Sequence, residues 1–106
     1  TDLPEDMGGT DTAALPPETL CAALANCIGM VVSITCKEEG IPYEGLTVDV
    51  EAEPSDEDAK LENFKVTITM PEELTDQQRA IVDEAQKQSK VRGTVIAGSD
   101  VEVTIA

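Results

Sequence analysis

An apolar run from Leu20 to Cys36, opened by Pro16-Pro17-Glu18 and closed by Gly40, constrains this chain more than any other feature. Proline suits a helix start, where its missing amide proton leaves no bond unmade. Glu18 in the first turn complements the positive end of the helix dipole, and Gly40 supplies a left-handed cap after Lys37. The pattern predicts a helix over about residues 17–39. Val31, Val32, Ile34 and Thr35 are β-branched, so this helix depends on tertiary packing. A membrane span is the competing reading of such a run. Leu20 to Ile34 is shorter than the roughly 18 residues a span needs. It also contains Asn26 and has no basic flank on its N-terminal side, so a helix enclosed by protein is expected.

Three later segments alternate apolar and polar residues. Their inward positions are Leu46, Val48, Val50 and Ala52 within 46–53, then Phe64, Val66, Ile68 and Met70 within 63–70, and Val101, Val103 and Ile105 within 100–106. The polar stretch from Pro54 to Leu61 suits an antiparallel hairpin between the first two. Thr75-Asp76-Gln77-Gln78 is a capping box opening a second helix to about Gln88, with a narrow apolar face of Ala80, Ile81 and Ala85. Ser89 to Gly98 reads as a connection into the last strand. The order helix, strand, strand, helix, strand defines an α+β fold, with antiparallel sheet packed around the long central helix. The 106 residues make one domain, with residues 1–14 an irregular acidic lead-in. A chain this short buries only about 60–70% of its unfolded surface, so a partner subunit would help.

With 22 acids against 7 bases the net charge is −15, which opposes binding to nucleic acid, polyphosphate or anionic membrane. One Phe, one Tyr and no Trp provide no stacking platform for bases. The acids are spread along the chain as a solvated surface. Three cysteines, Cys21, Cys27 and Cys36, all fall on the predicted helix. Spacings of six and nine residues separate them by about 9 and 13.5 Å along the axis, beyond the roughly 7 Å that a disulfide tolerates. No signal sequence is recognisable and an odd cysteine count disfavours a disulfide framework, so a reducing cytoplasm is expected. With no His and no C-x-x-C pair, neither a metal nor another cofactor is expected. No Gly-rich loop follows a strand, so nucleotide binding is not expected either.

Gly8-Gly9-Thr10-Asp11, followed by Pro16-Pro17-Glu18-Thr19-Leu20-Cys21-Ala22-Ala23-Leu24-Ala25-Asn26-Cys27-Ile28-Gly29-Met30, resembles the OsmC/Ohr family of osmotically inducible and organic hydroperoxide resistance proteins. The resemblance implies an OsmC-like fold, an intertwined homodimer and thiol-dependent reduction of organic hydroperoxides by two cysteines. It places the reactive cysteine at Cys27, and it makes Glu18 similar to a glutamate that supports a catalytic arginine. The family's second cysteine lies in a Cys-Pro-Val-x-x-Thr segment, which here reads Ser89-Lys90-Val91-Arg92-Gly93-Thr94. Ser89 stands in the sulfur's place. The family's first strands, which carry the arginine, have no counterpart before Thr1, as in a shortened member or a piece of a longer protein.

The implied catalytic set is Cys27, Glu18 and Ser89, acting on a small organic hydroperoxide with an external thiol as reductant, because a hydroxyl cannot resolve a sulfenic acid. The alternative is a non-catalytic dimer module, or a scaffold binding a hydrophobic small molecule over Cys27 and Met30. Each residue also has a plain structural role. A buried cysteine is ordinarily a small hydrophobe, which is the expectation for Cys21 and Cys36. Glu18 serves the dipole, Ser89 suits a cap, and Met30 suits a core. Cys27 lies mid-helix and gains little from its own helix dipole, which leaves Lys90 and Arg92 as the candidate cations for its thiolate.

Overall fold

A computed structural model describes residues 15–106; the Gly8-Gly9-Thr10-Asp11 lead-in lies outside them. Helix α1 spans Pro16–Glu39, strands β1 and β2 span Thr47–Pro54 and Leu61–Thr69, and helices α2 and α3 span Asp76–Gln86 and Lys90–Ala97.

Both ends of α1 follow the sequence expectation. Glu18 Oε1 accepts the Leu15 amide proton at 3.3 Å; Leu15 has no acceptor to reciprocate, so only half a capping box forms. Gly40 is left-handed at φ 70°, and its amide and that of Ile41 bond the Cys36 carbonyl. A Cβ at Gly40 would meet no atom within 4 Å. Gly40→Ala should therefore cost only the left-handed backbone strain, about 1 kcal/mol, read as a lowered urea midpoint at unchanged slope.

Leu24, Ile28, Val32 and Cys36 repeat every fourth position along α1 and are buried, joined by Ile41, Val82 and Ala85. By length and composition α1 is apolar enough to cross a membrane; this stripe packs against α2, α3 and the sheet, but only 22% of the apolar window is buried, so the helix is not enclosed on most sides as expected. The opposite face is not covered: Met30 is 65% and Ile34 54% exposed. Met30 is therefore not core filler.

The hairpin forms as expected, antiparallel, with Val48 opposite Ile68 and Val50 opposite Val66. Val48, Val50, Ala52, Phe64 and Ile68 are half-buried while their neighbours are exposed, which is the period-two signature of a sheet with one covered face. A bulge shifts the register between Glu51 and Glu53, where Asn63 takes φ 55° and donates from Nδ2 to Glu53 Oε2 at 3.0 Å. The α2 capping box is reciprocal: Thr75 Oγ1 accepts from the Gln78 amide at 3.1 Å and Gln78 Oε1 accepts from the Thr75 amide at 2.9 Å. Val82 and Ala85 anchor α2 to the core, whereas Ala80, expected on its apolar face, is exposed.

The C-terminal third departs from expectation. The expected order α-β-β-α-β is α-β-β-α-α in the described residues. Ser89 to Gly98 is helix α3 with its two flanking caps, not a connection. Residues 100–106 form no strand, and Val101, Val103 and Ile105 are 82%, 77% and 95% exposed. Alternation says which faces a strand would have, but a strand exists only where an edge receives its amides, and the sheet described here is β1 and β2 alone. The α+β class stands, with a two-stranded antiparallel sheet and three helices.

Candidate functional site

Cys27 lies halfway along α1 and is half-buried. Counting along the helix, Leu20, Ala23, Cys27, Met30 and Ile34 share one edge at alternating three- and four-residue spacing. Cys27 is the centre of this apolar seam. On its covered side stands the start of α3, which the sequence alone did not reveal as a helix.

Ser89 caps that helix. Its Oγ accepts the Arg92 amide proton at 3.1 Å, and the residue is buried at 2% exposure. With an oxygen lone pair committed to Arg92, the hydroxyl proton is free to point at Cys27. The Ser89 side chain and the backbone amides of Val91 and Lys90 face the Cys27 sulfur and favour its anion. These groups, with Ser89 first and the Lys90 charge last, hold the Cys27 thiol below its ordinary value despite partial desolvation. Orphan amides of a helix's first turn favour an anion, so the stabilised species is the thiolate. The cap expected of Ser89 forms. Lys90 contributes charge from α3, whereas Arg92 extends into a cleft described below.

The other expected residues are placed elsewhere. Glu18 makes the α1 capping contact and stands nine residues from Cys27, about 13.5 Å along the axis; it is not brought to the sulfur. Cys36 is fully buried, and burial pushes its thiol above the ordinary value, which makes it an inert hydrophobe. Cys21 is half-buried in a groove between α1 and β1, beside Glu18 and Val50. All three cysteines are free, as their helical spacing requires. Met30 lies in a shallow groove with Asn26, Gly29, Tyr43 and Leu46, a groove that Cys27 does not line.

The double role of Ser89 can be separated. Ser89→Ala should cost about 1 kcal/mol through the lost cap, whereas Ser89→Gly should cost only a few tenths. Both remove the hydroxyl from Cys27, so both should raise its pKa. Since only thiolate alkylates, the pH–rate midpoint for iodoacetamide at Cys27 should lie below that of a free thiol in the native chain. It should move upward equally in both variants.

The fold and the sequence lead to one family. The OsmC-like protein model matches residues 9–104, and the chain belongs to that family. Among solved structures, it is similar to one described as an osmotic stress induced and detoxification response protein from Psychrobacter arcticus. The two share a TM-score of 0.79 at 24% identity, over 89% of this chain and 69% of the other. It is also similar to an organic hydroperoxide resistance protein OsmC from Legionella pneumophila, at TM-score 0.59 and 18% identity, over 92% and 72% of the two chains. No curated protein matches the chain in sequence.

Proposed function

We propose that the protein reduces small organic hydroperoxides through Cys27, with an external thiol completing the cycle in the cytoplasm. The observation that carries this is the convergence of the Ser89 hydroxyl and the first amides of α3 on the Cys27 sulfur. In the first step the Cys27 thiolate attacks the outer peroxide oxygen. The O–O bond breaks, the alkoxide leaves and takes up the proton the thiol had released, and Cys27 becomes a sulfenic acid. An external thiol then displaces water to form a mixed disulfide, and a second one releases Cys27 as thiol. The balance is one hydroperoxide and two thiols to one alcohol, one external disulfide and one water. Ser89 holds the thiolate but cannot resolve the sulfenic acid, and Cys21 and Cys36 are too far along α1 to substitute.

The same reading includes a homodimer. The seam through Leu20, Ala23, Met30 and Ile34 and the apolar tail residues Val101, Val103 and Ile105 together expose more aliphatic surface than an isolated small domain usually does. A Met30→Asp variant should then sediment as a monomer where the native chain does not.

The peroxidase reading is tested with cumene hydroperoxide and a sulfenic-acid trap such as dimedone. A single adduct on Cys27, together with turnover that stops when the external thiol is omitted, is expected. An unlabelled Cys27 at complete peroxide survival overturns it. The second reading, ligand binding without chemistry, is favoured by an apolar cleft that Cys27 does not line.

A further inference from the structure

Between β2, α2 and α3 lies a cleft of about 460 Å³, within the range of roughly 300–1,000 Å³ typical of small-molecule sites. Its floor is aliphatic and aromatic, with Phe64, Val66 and Ile68 from β2, Val82 from α2 and Val95 from α3. Its polar residues include Arg79 and Arg92, and these are the only two arginines in a chain of net charge −15. Among the described residues, neither guanidinium enters a salt bridge.

That arrangement is unexpected, because Asp83 stands four residues after Arg79 on α2 and also lines the cleft. An i,i+4 ion pair would be the ordinary outcome. Instead Asp83 Oδ2 lies 3.7 Å from Lys87 Nζ, and Lys87 is also 3.6 Å from Glu84. Asp83, the one acid in the cleft lining, is engaged with lysine, and two planar five-donor forks line an apolar hollow with no ion pair among the described residues.

We infer that this cleft binds a monocarboxylate with an unbranched apolar tail, its headgroup held by Arg79 and Arg92 and its tail lying along Phe64, Val66, Ile68 and Val95. A guanidinium matches a carboxylate in a bidentate fork, which a lysine could not. Asp83 in the wall, and the acidic surface around it, select against ligands carrying several negative charges. The proposal names the ligand class for the binding reading above and does not depend on chemistry at Cys27, which lies outside the cleft.

Sodium decanoate, titrated calorimetrically into the full chain with methyl NMR as a second readout, tests it. Saturable one-to-one binding is expected, with shifts at Val66, Ile68 and Val95. An R79Q/R92Q double variant should bind at least tenfold more weakly, while C27S binds as the native chain does. Decyltrimethylammonium, with the same tail and the opposite charge, should not compete. Equal affinity for decan-1-ol, an unchanged double variant, or no saturable binding would each overturn the inference. So would cleft methyl shifts that follow protein concentration and ignore decanoate, because a second copy would then be the occupant. Loss of decanoate binding with an intact Cys27 sulfenic acid signal sinks this site alone; the reverse result sinks only the peroxidase reading.

Discussion

Ser89→Cys, exposed to one equivalent of cumene hydroperoxide, is expected to form a disulfide between Cys27 and the introduced thiol. The Ser89 side chain faces the Cys27 sulfur, and a C–S bond is longer than a C–O bond, so a sulfur placed there reaches further toward it. A nascent sulfenic acid would condense with it, losing water. An intramolecular partner acts at an effective concentration far above that of any added trap, so dimedone labelling of Cys27 should fall by roughly tenfold or more. Peptide mapping without reductant would identify the cross-link, and turnover would shift from monothiol to dithiol reductants. Cysteine caps a helix poorly, so α3 should lose about 1 kcal/mol in the reduced variant. Persistent labelling at the native level, with no cross-link, would show that the two side chains do not face each other closely enough for a disulfide of about 2.05 Å.

Ile28→Ala is expected to remove a large part of the protein's stability. Ile28 is 1% exposed and stands between Leu24 and Val32 in the stripe that holds α1 against α2 and the sheet. Truncating it loses the transfer free energy of three carbons and leaves a cavity that a packed helix cannot close, about 2–5 kcal/mol. Domains of this size hold only about 5–15 kcal/mol in total, so guanidinium unfolding should shift to a much lower midpoint. Because Ile28 is the neighbour of Cys27, the loosened α1 should also let the Cys27 pKa drift back toward that of a free thiol. A midpoint within error of the native chain would mean that α1 is held by something other than this stripe.

Much of the architecture was legible in the residues. Pro16-Pro17, Glu18 and Gly40 bounded α1 to within a residue or so, since capping is local chemistry. The alternation of Val48, Val50, Phe64 and Ile68 fixed the faces of the hairpin, and Thr75 with Gln78 marked the start of α2. The candidate position, Cys27, was legible through its resemblance to the OsmC/Ohr pattern. Apart from Met30 and Ala80, which are exposed, what was misread lay after Gln88. Ser89-Lys90-Val91-Arg92-Gly93-Thr94 contains glycine and two β-branched residues, a composition that argues for a connection. Only the Ser89 cap and the packing of Val91 on the core make it a helix.

Sequence alone thus determined the elements whose signals are local: helix ends, strand faces, and three cysteines spaced too far apart on one helix to bridge. Tertiary structure decided the surroundings of Cys27, because the groups that lower its pKa come from residues more than sixty positions away. A thiol's charge depends on what surrounds it in space, and that neighbourhood exists only once α3 has docked against α1.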